Sequence, residues 1–143
     1  GHLKEIESKL QRSSIRYTKA TEENVQQADC LIIDCYGLLS SIYRYGEISY
    51  IGGGFGVGIH NVLEAAVYGI PVIFGPNNKK FREAQHLLAN KGGFEINGYE
   101  DVEQLMNKFL GDEVYLKQSG KAAGDYVKGN AGAMEKIMKR VTL

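Results

Sequence analysis

The chain carries no net charge, because 17 Lys and Arg balance 17 Asp and Glu across 143 residues. A surface that coats nucleic acid or an anionic membrane needs a basic excess, so a generic role of either kind is excluded and any ligand charge must be met locally. Cysteine is scarce. Cys30 and Cys35 are too few for a disulfide framework and lack metal-site spacing, so they read as small buried apolar residues in a reducing, cytosolic setting. No apolar run approaches the length of a membrane span, and there is no signal-peptide pattern. Internal repeats, linkers and low-complexity stretches are also missing. The chain starts Gly1-His2 instead of with Met, which reads as a cloning remnant ahead of a domain cut from something longer.

What is present is a sizeable core, with 43% hydrophobic and 24% charged residues, and one conspicuous loop. Residues 51 to 64, Ile51-Gly52-Gly53-Gly54-Phe55-Gly56-Val57-Gly58-Ile59-His60-Asn61-Val62-Leu63-Glu64, read as a strand, a glycine-rich turn and a helix opening with polar residues. Glycines let the backbone approach a ligand closely, and the N–H groups of a helix start face the same spot, so the turn suits an anion. Spacings of three and four place His60, Asn61 and Glu64 on one helix face. A phosphate at the loop and sugar hydroxyls at Glu64 would fit this arrangement. Tight packing alone explains such a loop equally well, and Glu near a helix start is favourable without any ligand. No Gly-x-Gly-x-x-Gly register runs through Gly52 to Gly58 and no Lys-Ser/Thr follows, so the dinucleotide and P-loop readings are weak.

Helical and strand periods alternate along the chain. Leu3, Ile6 and Leu10 mark an amphipathic helix, Ile15 to Thr18 a short strand, and Cys30 to Asp34 an apolar strand followed by a turn at Tyr36-Gly37 and a helix to about Tyr45. Ile48 to Ile51 is the next strand. A helix from His60 is expected to bury Leu63, Ala66 and Val67 and to stop at Gly69. Pro71 to Phe74, a helix from about Lys80 to Asn90, and Gly93 to Ile96 follow. Helices near Asp101 to Leu110 and Glu113 to Lys128, with a last short one before Leu143, complete the chain. Five short apolar strands alternating with helices predict an α/β fold with a doubly wound, mainly parallel, Rossmann-like sheet. Ligands bind such sheets at the carboxyl ends of the strands, so Asp34 to Leu38, Gly52 to Asn61 and Gly75 to Phe81 are expected to line one crevice.

At these residues a family resemblance becomes specific. Asp34-x-x-Gly37-x-Leu39, Tyr43, Ile51-Gly52-Gly53-Gly54-Phe55, His60-Asn61-x-Leu63-Glu64-Ala65-Ala66, Gly69-x-Pro71-Val72-x-Phe74-Gly75-Pro76 and Phe81-x-Glu83 resemble the carboxyl-terminal domain of 3-deoxy-D-manno-octulosonic acid (Kdo) transferase. The match runs from Glu23 to about Leu88. The resemblance implies a two-domain GT-B glycosyltransferase that takes Kdo from CMP-Kdo and attaches it to lipid A precursor in lipopolysaccharide synthesis, on the cytoplasmic face of the inner membrane. Residues 1–143 would then be the donor-binding domain without its first strands. The acceptor domain with its general base would lie outside the chain, which would hold no catalytic residue and be inactive alone.

Departures from the family pattern are visible. Gly37-Leu38-Leu39 stands where many members carry Gly-Glu-Leu, the glycine loop is one residue shorter, Gly54 replaces a usual serine, Ile59 a usual glycine, and Ala65 a common proline. Segments of the type Ser-Thr-His-x-Gly-Glu and Pro-Arg-His-Pro have no counterpart. The expected donor-binding residues are Gly37, Gly53, Gly54, Gly56, His60, Asn61, Glu64, Gly75 and Asn77. Glu64 would accept from ribose hydroxyls, Gly53, Gly54 and Gly56 would make room for phosphate, and His60 and Asn61 would orient the phosphate or the Kdo carboxylate. A bond to its own helix start alone accounts for Asn61 equally well. Gly37, Gly75 and Asn77 would shape the base pocket or simply form turns, and Tyr36 is a candidate for stacking on cytosine. Lys79, Lys80 and Arg82 could neutralise phosphate, although a solvated helix face accounts for them better. No metal or other cofactor is expected. Another nucleotide-sugar donor, such as a UDP-hexosamine, and a non-catalytic nucleotide-binding module are the alternatives. Without the preceding strands, Cys30 to Ile33 would form an exposed edge, which either takes up the Ile15 strand or pairs with another copy.

Overall fold

The computed structural model describes residues 2–141, with side chains through Ala131. The chain divides into two compact units, residues 1–42 and 43–143.

In the first unit, helix α1 (His2–Lys9) precedes strand β1 (Ser14–Arg16), and helix α2 (Glu22–Val25) leads to strand β2 (Cys30–Ile32) and helix α3 (Leu39–Ile42). β1 pairs with β2 in parallel, Ile15 opposite Leu31, so the Ile15 strand is taken up within the chain. Thr21 starts α2 through reciprocal bonds: its hydroxyl accepts from the Asn24 N–H at 3.1 Å and its own N–H donates to Asn24 Oδ1 at 2.7 Å. The carboxylate of Asp34 accepts from the Thr18 N–H at 2.9 Å and from the Thr18 hydroxyl at 2.6 Å.

The second unit holds strand β3 (Ser49–Ile51), helix α4 (Leu63–Ala66), strand β4 (Val72–Phe74), helix α5 (Arg82–Asn90), strand β5 (Gly93–Glu95), and helices α6 (Tyr99–Gly111) and α7 (Glu113–Val141). Its sheet is parallel in the order β3-β4-β5. The central strand reads Val-Ile-Phe without a polar residue because both its faces are covered. Side chains alternate across the sheet. Val72 and Phe74 join Ile51, Ala65, Ala66, Ala84, Leu87 and Ala123 in one core. Ile73 packs the other way, with Ile96 and Phe109 and the flanking Leu105, Met106 and Tyr115. Phe94 meets Phe109 edge-on at 5.2 Å, and Phe109 stacks on Tyr115 at 5.4 Å, which fixes where α6 and α7 meet below β5.

Four expectations are corrected. The five parallel strands form two sheets, not one; an apolar run reports that a strand forms, whereas its partner is a tertiary choice. The helix expected from His60 is the short α4, because the His60 N–H bonds back to the Gly52 carbonyl at 3.0 Å and Asn61 Oδ1 accepts from the Leu63 N–H at 2.9 Å, which delays the first helical turn. Starting at Leu63, that turn buries Ala65 and Ala66 and leaves Val67 exposed. The helix ending near Lys128 continues as α7 through Gly129, whose missing side chain faces open space and costs nothing in contacts; residues 142 and 143, at the end of the expected last helix, lie outside the described residues. Gly69 ends its helical segment as expected, at φ 71°. Among the described residues, no helix is long and apolar enough to cross a membrane.

Candidate ligand site

The site is built from two loops at the carboxyl ends of adjacent strands, residues 52–62 after β3 and residues 75–81 after β4. The first folds back on itself. Gly53 sits at φ 91°, and the carbonyl oxygen of Gly58 lies 2.2 Å from where its Cβ would be, so a side chain is excluded twice over. The Gly53 carbonyl accepts from the N–H groups of Gly56 at 3.0 Å and Gly58 at 3.1 Å. These two donors therefore close the loop and do not point at a ligand.

The second loop is stapled to the first. A Cβ on Gly54 would meet the Gly75 nitrogen at 2.5 Å, so both residues are required to be glycine for the strand ends to approach. The Asn77 N–H donates to the Gly54 carbonyl at 2.8 Å, the Asn77 carbonyl accepts from the Ile59 N–H at 3.3 Å, and Asn77 Nδ2 donates to the Gly56 carbonyl. Tight packing thus accounts for Gly53, Gly54 and Gly75. Gly56 differs: it is exposed, and a Cβ there would touch only the Gly53 carbonyl oxygen, at 3.8 Å.

Two small clefts open beside this double loop, with Phe81 in the wall of both. One, of about 380 Å³, is lined by His60, Asn61, Leu63, Phe81 and Glu83. The other, of about 310 Å³, is lined by Val57, Pro76, Asn77, Lys79, Lys80 and Phe81. The first offers a ring nitrogen, an amide and a carboxylate, suited to hydroxyls and to a partly charged group. In the second, Lys80 stands beside an amide and an apolar floor, while the Lys79 ammonium is already paired with Glu95 at 3.0 Å, so the lining suits an anion carried on a flat or apolar body.

Glu64 is half-buried on α4. It does not share the cleft wall with His60 and Asn61, because α4 begins after them, so the three expected on one helix face are divided. It lies instead beside Tyr43, whose phenol is pushed up first by burial and then by the Glu64 charge. Gly37 belongs to the first unit, at φ 90° with open space where a side chain would stand, next to a fully exposed Tyr36. Of the three segments expected in one crevice, the structure brings together residues 52–61 and 75–81.

Sequence reasoning passed over Asn78. Its side chain is fully buried. Asn78 Nδ2 donates to the Gly75 carbonyl and to Glu95 Oε1, both at 2.8 Å, while Asn78 Oδ1 accepts from Gln85 Nε2 at 2.6 Å. Lys79 Nζ also reaches Glu95 Oε1 at 3.0 Å. The bonds from Asn78 and then Lys79 hold the Glu95 carboxyl below the usual carboxylate range. The only signal in the sequence is the Asn77-Asn78 pair in a Gly-Pro turn, and nothing there says which amide is buried. Glu83, seen only as a motif residue, proves to line the first cleft, and Phe81, the end of a segment expected in the crevice, stands in the wall of both. A larger hollow of about 500 Å³ runs along β5, but its carboxylates are engaged: Glu95 as described, and Asp101 with the Asn97 N–H at 2.7 Å.

No protein-family model matches the chain. Among curated proteins, the 3-deoxy-D-manno-octulosonic acid transferase of Aquifex aeolicus is 32% identical over 102 residues, 70% of this chain and 29% of that protein. That of Rickettsia felis is 30% identical over 117 residues, 80% and 25% of the two chains. That of Chlamydia pneumoniae is 29% identical over 144 residues, 95% and 32%. The chain therefore spans between 25% and 32% of the length of these relatives. Among solved structures, the C-terminal CMP-Kdo binding domain of WaaA from Acinetobacter baumannii superposes with a TM-score of 0.70 at 19% identity, covering 87% of this chain and 65% of that one. Relatives agreeing over most of this chain, together with a shared fold, settle its kinship: the chain belongs to the Kdo transferase family and has the α/β fold of the carboxyl-terminal domain of a GT-B glycosyltransferase.

Proposed function

We propose that the chain is the donor-binding part of a glycosyltransferase that moves Kdo from CMP-Kdo to lipid A precursor in lipopolysaccharide synthesis. The observation that carries this reading is the stapled pair of loops after β3 and β4, flanked by one cleft with His60, Asn61 and Glu83 and another with Asn77, Lys79 and Lys80. A nucleoside monophosphate ester of an acidic sugar has the matching parts: an anionic phosphate and carboxylate, vicinal hydroxyls and a flat base. Lys79, Lys80 and the exposed Gly56 would meet the phosphate. His60 and Asn61 would orient the sugar acid or the phosphate, and Glu64 would accept from ribose. Gly53, Gly54, Gly75 and Asn77 would hold the loops in shape.

In this reading residues 1–143 form the donor domain. Acceptor binding, the general base and attachment to the cytoplasmic face of the inner membrane belong to a domain outside this chain, so the chain alone binds donor without turning it over. No metal or other cofactor takes part.

Thermal shift with a panel of CMP, CMP-Kdo, UDP and a UDP-hexosamine tests the assignment, since a ligand at a hundred times its dissociation constant stabilises by about 2.7 kcal/mol. Stabilisation by CMP and CMP-Kdo above the UDP compounds is expected. A larger shift with UDP compounds would assign a different donor, and no shift with any nucleotide would overturn the donor reading.

A further inference from the structure

Asn78 connects the interior of the sheet to the ligand face of the double loop. Below it, Glu95 on β5 and Gln85 on α5 hold its amide. Above it, the adjacent Asn77 makes three bonds to the glycine-rich loop, to Gly54, Gly56 and Ile59. Between them, Asn78 also bonds the carbonyl of Gly75, the residue in closest backbone contact with Gly54. The amide uses both its donors and its acceptor within a fully buried site, so it has one orientation and no water to substitute for a lost bond. A buried polar network whose members are all satisfied rigidifies the segments it joins.

We propose that Asn78 is the positioning residue of the ligand site, setting the Asn77 staple and with it the placement of Gly56, Lys79 and Lys80 around the bound phosphate. The effect on phosphate rests on the donor reading above; the effect on the loops does not.

Replacing Asn78 with Asp keeps the shape and removes both donors. At neutral pH the new carboxylate faces the Gly75 carbonyl and the Glu95 carboxylate. The other groups around this pair are the Lys79 ammonium and the neutral amides of Gln85 and Asn97, and one ammonium does not compensate two carboxylates. Desolvation and like charge raise the pKa of such a group, so acidification returns one proton and one donor.

Amide hydrogen exchange on the full chain reads the loops without a ligand, and CMP titration reads the site. In Asn78→Asp at pH 7, exchange at the N–H groups of Asn77 and Ile59 should be faster than in the parent at the same pH by about tenfold or more, corresponding to about 1.4 kcal/mol, and this ratio to the parent should fall back toward one as both are taken toward pH 5. The dissociation constant for CMP should rise in parallel at temperatures well below melting. Unchanged exchange at these two amides, or a lower Tm with exchange and CMP affinity both as in the parent, would reduce Asn78 to a stabilising residue and overturn the proposal. If Asn78→Asp does not fold at pH 7, Gln85→Leu removes the bonds to Asn78 while keeping an apolar volume on α5, and the same rise in exchange is expected; its absence counts equally against the idea. Loss of loop protection in the variants with no CMP binding by the parent chain would overturn the donor reading alone and leave the positioning of the loops standing.

Discussion

A Cβ added to Gly120 on α7 would lie 2.2 Å from the carbonyl oxygen of Gly69, the residue that ends the segment after α4. The long helix is thus pressed against the turn between α4 and β4. Gly124 stands over the Gly69 Cα, where a Cβ would be at 3.2 Å, and a Cβ on Gly92 would lie 2.6 Å from the Ala123 nitrogen. His86 Nδ1 to the Tyr126 hydroxyl at 2.8 Å and Asn90 Nδ2 to the Ala122 carbonyl at 3.0 Å hold α5 to the same helix. Glycine inside a helix usually costs about 1 kcal/mol relative to alanine, so Gly120→Ala on an exposed helix would stabilise. Here the clash is with backbone, which cannot swing aside. Gly120→Ala should therefore lose about 1–3 kcal/mol by denaturant unfolding, and a neutral or stabilising result would show that α7 is not seated this closely.

The Glu95 carboxyl should make the second unit acid-sensitive. Its pKa is lowered in the fold, first by the Asn78 amide and then by Lys79. The stability it contributes is present above its unfolded value, about 4.3, and is lost as the pH falls through the lower folded value. Glu95→Gln should flatten the pH dependence of Tm below about pH 5, while leaving that above pH 6 nearly parallel to the parent. Identical acid limbs in the two proteins would remove Glu95 from the account.

Much of this arrangement was legible in the sequence, for physical reasons that differ by element. Val72-Ile73-Phe74, between Pro71 and Gly75-Pro76, announces a buried strand, because the run is short, rich in β-branched and aromatic residues and bounded by turn residues. Gly69 announces a helix end, and the glycines of residues 52–58 announce a backbone that must come close to something. What the pattern leaves open is the identity of that something. For Gly53 and Gly54 it is the protein's own backbone at Gly58 and Gly75. His60 and Asn61 fit a helical spacing with Glu64, yet Asn61 spends its side chain on the Leu63 N–H, a local bond that competes with helix and is silent in a periodicity argument. Asn78 was illegible because burial of a polar side chain is decided by partners 7 and 17 residues away.

Donor binding should not need a divalent cation. Sites that hold a nucleotide through a metal place carboxylates beside the phosphates, whereas the cleft proposed above for the phosphate is lined by Lys79 and Lys80. The CMP dissociation constant measured with a chelator and with added Mg²⁺ should agree within error. A large loss of affinity on chelation would contradict the arrangement.

Glu64→Ala should weaken CMP binding by roughly 1.5 to 3 kcal/mol, the range for a hydrogen bond to a charged group, without unfolding the chain. The half-buried carboxylate lies on a single-turn helix whose packing rests on Ala65 and Ala66, so its removal takes little from the core. Calorimetric titration alongside a melting curve separates the two effects. Unchanged affinity would remove Glu64 from the ribose-binding role, and a collapse of the melting transition would reassign it to structure.

Gly54 and Gly56, two residues apart in one loop, should respond in opposite ways to the same added methyl group. A Cβ on Gly54 meets three backbone atoms of Gly75 between 2.5 and 2.9 Å, while one on Gly56 meets the Gly53 carbonyl oxygen at 3.8 Å, an ordinary contact. Gly54→Ala should therefore lower stability by about 1–3 kcal/mol through overpacking, with any loss of CMP affinity following from displaced loops. Gly56→Ala should keep stability within about 0.5 kcal/mol of the parent and weaken CMP by crowding the face where the phosphate approaches. Equal Tm values for the two variants would mean that the strand ends are not in contact. A Gly56→Ala chain that binds CMP as the parent does would move the phosphate away from the loop tip and toward the His60 cleft.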